Sequence, residues 1–241
     1  MHMAFCHVHF GGTMRLHFII YSLILLFSFG AFAHGGGINL NKTRVIYNSD
    51  RNSESIKVNN TSKKEQWLIR TWITEYQSNK KTNKFVITPP LYRIQEEESI
   101  QLRIDEMANS FPQDRESIFH INVLAIPEKN DNEQSSLQFA INHRVKLIYR
   151  PAILNKRFNI EDAYSNLKIR KSTGGVIVEN QSPYYITMDK VRVNGKDVKS
   201  MSDFMVAPFN KMIIPEKNAS ELSYVIINDY GGTSSEIKLS L

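Results

Sequence analysis

Residues 135–151, SSLQFAINHRVKLIYRP, decide how the chain is read. Leu137, Phe139 and Ile141, then Val145, Leu147 and Tyr149, put an apolar side chain on every second position. A period of two marks a strand with one buried face. The pattern predicts a strand of roughly fourteen residues, well beyond the usual five or six. Arg144, Lys146 and Arg150 hold the opposite parity, and Pro151 ends the run. So long an alternation interleaved with cations is an odd thing for a plain core to need, core filling being the alternative reading. The stretch reads as a strand that pairs with another molecule.

Upstream, strand-like segments follow one another at 38–47, 55–59, 66–76, 85–88, 99–104 and 118–126. Ile100, Leu102 and Ile104 against Gln101 and Arg103 give the plainest alternation. Asn, Ser, Asp and Pro clusters separate the segments. With the long strand they form the pattern of an immunoglobulin-like sandwich. Residues 151–165 read as a hinge and a short irregular piece. Strand signals resume at 167–170, 175–179, 184–193, 204–206, 211–214, 222–227 and 236–241, with Asn194-Gly195 as a hairpin turn. The expected fold class is all-β: an immunoglobulin-like domain over 34–151 and a smaller β-sandwich domain over 152–241.

The amino terminus reads as a targeting segment. Arg15 precedes a largely apolar run at 16–29, and Ala31-Phe32-Ala33 fits a small-x-small cleavage site. Residues 1–33 are therefore expected to be a cleaved signal peptide with an upstream extension, Met1 and Met14 being the alternative start codons. The apolar run is shorter than the about 20 residues of a membrane-spanning helix, so no stable membrane insertion is expected. Cys6 is the only cysteine and leaves with this segment, so core burial rather than disulfides must hold the fold. The net charge of +6 contains no five- or six-residue Lys/Arg run, which argues against nucleic acid as a partner.

Catalytic chemistry is not visible. His34, His120 and His143 lack a second ligand at metal spacing, so no metal is expected. Glu96, Glu97 and Glu98 are neighbours in an extended chain and point to opposite faces. Phosphate loops and nucleophile elbows are absent. The chain reads as a non-enzyme without cofactor or catalytic residue. The competing class, an exported β-sandwich carbohydrate-binding module or enzyme, predicts an aromatic platform or convergent acids. Trp67 and Trp72, five apart in one strand, face opposite sides and build no platform.

Five blocks carry a family resemblance: TRVIY (43–47), FPQDRESIFHINVLAIP (111–127), RVKLIYRP (144–151), NQSPYYITM (180–188) and INDYGG (227–232). In order and approximate spacing they resemble the periplasmic chaperones of the chaperone–usher pilus pathway. The resemblance implies two immunoglobulin-like domains meeting at an angle, as in a boomerang. It also implies a periplasmic protein that binds, folds and caps pilus subunits by donor-strand complementation and delivers them to an outer-membrane usher. Arg44 and Lys146 match the pair that anchors a subunit's terminal carboxylate, where charge-assisted hydrogen bonds are strong. Leu137, Phe139 and Ile141 match the donor strand, a recognised form of β-strand addition. Strict alternation puts Lys146 on the face opposite Leu137, which a bulge between Ile141 and Val145 would reconcile. Glu116, Arg150 and Asp229 match an ionic network between domains. His120 and Gln181-Ser182 depart from the usual aromatic and Pro-Thr. The short connection 127–134, without a cysteine pair, resembles the short-loop branch serving rod-forming pili. Exposed donor residues would invite self-association, so a self-capping dimer is the expected form of the free protein.

Overall fold

The structure, a computed structural model, describes residues 36–107, 111–128, 138–157, 159–201 and 203–241. The expected signal peptide, the start codon and Leu137 lie outside the described residues.

The first domain contains β1 (Ile38–Leu40), β2 (Arg44–Asn48), β3 (Glu54–Asn60), β4 (Trp67–Glu75), β5 (Phe85–Thr88), β6 (Leu91–Ile94), β7 (Ser99–Glu106), β8 (Ser117–Pro127) and β9 (Ile141–Arg150). One sheet runs β1-β3-β7-β5 and the other β2-β9-β8-β4-β6. Alternation explains the layering. On β4, Trp67, Ile69 and Ile73 are buried between the sheets, and Ile121, Val123, Val145 and Leu147 of β8 and β9 meet them there. Toward one end the core is aromatic, with Phe111 stacked on Tyr149 at 4.0 Å and Phe85 edge-on to Phe119 at 5.2 Å.

The stretch 38–47 is not one strand. β1 pairs with β3 in the first sheet, while β2 crosses to the second and lies parallel to β9. Asn41 makes the crossover by fastening to Lys57, its Oδ1 accepting the Lys57 N–H at 2.8 Å and its own N–H reaching the Lys57 carbonyl at 3.2 Å. β6 is a further strand, added to the free edge of β4 just after Pro89-Pro90.

β9 corrects the expectation most. It spans ten residues, and its pairing with β8 runs in unbroken register from Ser117↔Tyr149 to Ala125↔Ile141. No bulge intervenes between Ile141 and Val145, so Lys146 and Ile141 do lie on opposite faces. Continuing the register would set Phe139 opposite Pro127, which has no N–H to donate. The ladder stops at Ile141, and 138–140 are not strand.

Residues 151–165 are more regular than expected, forming α1 (Ala152–Arg157) and α2 (Ile160–Ser165). Asn159 caps α2 by accepting the Glu161 N–H at 3.2 Å. Six residues are too few to display a 3.6-residue period, which is why the sequence reads as irregular there.

The second domain has β10 (Lys168–Ser172), β11 (Gly175–Asn180), β12 (Ile186–Val193), β13 (Lys196–Asp197), β14 (Met205–Val206), β15 (Asn210–Ile214), β16 (Glu221–Ile227) and β17 (Ile237–Ser240). Its sheets run β10-β11-β15 and β13-β12-β16-β17, with β14 also paired to β12. Val176, Val178, Ile186, Met188, Leu222, Tyr224 and Ile226 fill the space between them. Asn194 and Gly195 both take positive φ, 52° and 75°, as the β12–β13 hairpin turn requires.

Candidate functional site

The parallel pairing of β2 with β9 makes Arg44 and Lys146 direct register partners. Across β8 and β4 the same row continues through His120 and Thr74. Two cations thus meet on the outer face of the five-stranded sheet, where the second domain adjoins it. Arg44 is only 8% exposed. Its Nη1 donates to the Ile227 carbonyl at 3.2 Å, while its buried Nε has no acceptor among the described residues. A buried donor left open costs about 1–3 kcal/mol, so this one needs a reason. Burial pulls both cations below their usual pKa range, and for Lys146 the Arg44 charge adds to the effect.

Opposite Lys146 stands Asp203, on the segment leading into β14, with Oδ1 3.5 Å from Nζ. Tyr76, just past β4, donates its hydroxyl to the other Asp203 oxygen. The Tyr76 ring stacks on His120 at 4.5 Å, and His120 Nδ1 accepts from Arg144 Nη2 at 2.9 Å. Burial, then the Arg144 and Lys146 charges, bring His120 down to about 4, so the imidazole is neutral near pH 7. A cavity of about 440 Å³ opens beside these groups, lined by Tyr76, Ile118, Tyr185, Asp203 and Met205.

Glu116, Arg150 and Asp229 also come together. Arg150 Nε donates to Glu116 Oε1 at 2.6 Å, and its two terminal nitrogens reach Asp229 at 2.6 and 3.0 Å. The second Glu116 oxygen accepts the Tyr185 N–H at 2.7 Å, and Tyr164 donates to Asp229 at 3.3 Å. Residues at the start of β8, the end of β9 and the turn after β16 therefore tie the two domains. Burial pushes the Glu116 carboxyl up to about 7, against the pull of Arg150. Gly231, in the same turn as Asp229, has φ 84°, and a side chain there would strike Thr43 Oγ1. The turn packs this closely beside β2, next to Arg44.

The apolar alternation divides along the chain. Val145, Leu147 and Tyr149 are core, whereas Ile141 is 50% and Phe139 67% exposed. β2 covers β9 only from Lys146 to Arg150. Among the described residues, 141–145 have β8 on one side and no strand on the other, leaving an open edge next to exposed apolar groups.

The two tryptophans separate as their spacing requires: Trp67 is buried and Trp72 lies on the outer face with Arg70 over its ring. Among the described residues no helix is long and apolar enough to cross a membrane. Tyr76 and Asp203 were not singled out from the sequence, since an isolated Tyr and an isolated Asp carry no periodic signal.

Residues 37–155 match the family described as pili and flagellar-assembly chaperone, PapD N-terminal domain, and 162–238 match pili assembly chaperone PapD, C-terminal domain. The chaperone protein LpfB of Salmonella typhimurium is 39% identical over 201 residues, covering 81% of this chain and 85% of its own. The chaperone protein FimC of Escherichia coli K12 is 34% identical over 206 residues, 83% of each chain. Among solved structures, the periplasmic chaperone SfaE is similar with a TM-score of 0.73 and 33% identity, over 85% of this chain and all of that one. The SafB chaperone of Salmonella enterica, solved in complex with the SafA pilin, gives 0.74 and 27% identity over 85% of this chain and 96% of that one.

Proposed function

Because the chain belongs to the pili assembly chaperone family, we propose that it captures pilus subunits in the periplasm, caps them and passes them to an outer-membrane usher. Capture uses two features. Arg44 and Lys146 take the terminal carboxylate of the subunit, and 137–141 lend a strand to it, with Leu137, Phe139 and Ile141 filling apolar pockets along the subunit's groove. The open edge of 141–145 supplies main-chain donors and acceptors to the same partner. Glu116, Arg150 and Asp229 hold the two domains so that the anchor sits at their junction. This reading assigns no catalytic residue and no cofactor. In the absence of a subunit, exposed Phe139 and Ile141 beside an open edge favour pairing of two copies through this strand.

The observation that carries the reading is the Arg44–Lys146 register pair, two cations side by side on the outer face of the sheet. A carboxylate placed between the two cations would neutralise both. The test is Lys146→Ala, whose side chain lies at the surface of the junction rather than in the core. The variant should fold as wild type by circular dichroism and lose subunit in pull-downs from periplasm. Truncating one partner of such a charge pair costs about 2–5 kcal/mol. Arg44→Ala should do the same, with an added folding cost from the freed Ile227 carbonyl. Recovery of subunit with both variants at wild-type yield would overturn the anchor.

A further inference from the structure

Lys146 already faces a carboxylate. Asp203 lies 3.5 Å from its ammonium, and Tyr76 fixes the other carboxylate oxygen through its hydroxyl while its ring sits 5.9 Å from Nζ. His120, stacked on Tyr76, holds that ring in place. Arg44 receives nothing from Asp203: among the described residues it bonds the Ile227 carbonyl, and its Nε stays open. Asp203 thus serves one cation of the pair and leaves the other unserved.

We propose that Asp203 is a built-in competitor at the anchor, holding Lys146 until the terminal carboxylate of an incoming subunit displaces it. The proposal rests on the anchoring reading and adds a residue that sets how tightly a subunit is held. The physical basis is an asymmetry. A terminal carboxylate reaching both Lys146 and Arg44 gains two charge-assisted partners, where Asp203 has one cation and a tyrosine. With side-chain exposures of 21% for Lys146 and 45% for Asp203, their ion pair is partly hydrated and therefore weak. It is weak enough to yield, yet Asp203 is tethered beside the site and returns at high effective concentration when the subunit leaves. A purely structural role, tying the second domain to β9, would use the same contacts but would not distinguish a charged from a neutral chain end.

The distinguishing experiment uses the full chain and a synthetic ten-residue peptide of alternating Val and Thr, prepared with a free carboxylate and as the C-terminal amide. Calorimetric titration should show that wild type prefers the acid. Asp203→Asn should bind the acid about two- to fivefold more tightly, the range open to a partly exposed ion pair, with the amide unchanged. Added salt should shrink the gain. Tyr76→Phe, which frees Asp203 from one bond without altering charge, should move in the same direction by less, and it decides the matter if Asp203→Asn does not fold. Weakening of acid and amide alike in the variants would establish a structural tie and refute the competitor. Unchanged acid affinity in Asp203→Asn, with the acid preference abolished by Lys146→Ala, would refute the competitor and leave the anchor standing. A wild type that binds acid and amide equally would remove the anchor and the competitor with it.

Discussion

Phe139→Ser separates lending a strand from filling a core. Phe139 is 67% exposed, lies outside β9 and belongs to neither core. Its replacement should change folding stability by no more than about 0.5 kcal/mol, as for surface positions generally. Binding is another matter. A phenylalanine buries about 150–250 Å² when fully enclosed. With two thirds of its surface free, about 100–170 Å² remains to be covered by a partner, worth about 2.5–4 kcal/mol at about 25 cal/mol per Å². The variant should therefore bind a pilus subunit roughly a hundredfold more weakly. Leu147→Ala, at a fully buried position of the same alternation, should show the reverse, a loss of about 2–5 kcal/mol of stability. Thermal melts and competition binding with purified subunit on both variants give the comparison. A Phe139→Ser protein that melts far below wild type, while its folded fraction binds subunit normally, would refute the reasoning.

Two further outcomes follow from the buried charges. Arg150→Met should destabilise the chain by about 3–5 kcal/mol in urea unfolding, because Glu116 would be left buried without its counter-charge; Glu116→Gln in the same chain should restore much of that, and an additive double variant would show that the pair is not coupled. His120 binds its proton more readily unfolded, near 6.5, than folded, near 4, so wild type should lose stability as pH falls through that window. For a half-exposed ring the loss should be about 1 kcal/mol rather than the full shift. Glu116 acts oppositely, its raised pKa lowering stability as pH rises toward 7, so the measurement is the difference between wild-type and His120→Phe stability curves, which should be flat if His120 does not titrate in this way.

The alternation in residues 135–151 told which side chains share a face, and five dispersed blocks told which residues meet. Neither could tell where cover ends. Leu147 and Phe139 look alike in the sequence; one is core and the other exposed because β2 reaches only from Lys146 to Arg150 along β9 and because Pro127 stops the β8 ladder. The partnership of Arg44 with Lys146 depends on β2 crossing between sheets at Asn41, a tertiary event with no local signature. α1 and α2 are shorter than the period by which helices are recognised. Asp203 and Tyr76 were invisible for a different reason: their roles arise from the docking of one domain's loop on the other's sheet.

The unbroken register of β9 accounts for the arrangement better than the expected bulge would have. Its two faces have different surroundings. Even positions look outward, where Lys146 meets Arg44 and Arg150 meets Glu116 and Asp229. Odd positions look to the core from Val145 onward and, on the same side, to whatever covers Ile141 before it. At about 3.3 Å per residue, Lys146 and Ile141 stand about 17 Å apart along one rigid strand. A chain held by its carboxylate at Lys146 would therefore meet Ile141 at a fixed distance along β9. A bulge would have brought cation and apolar groups to one face at the cost of that spacing, since a one-residue slip sends every later side chain to the other side. In the proposed capture the anchor would set the register, and the register would decide which side chains are offered.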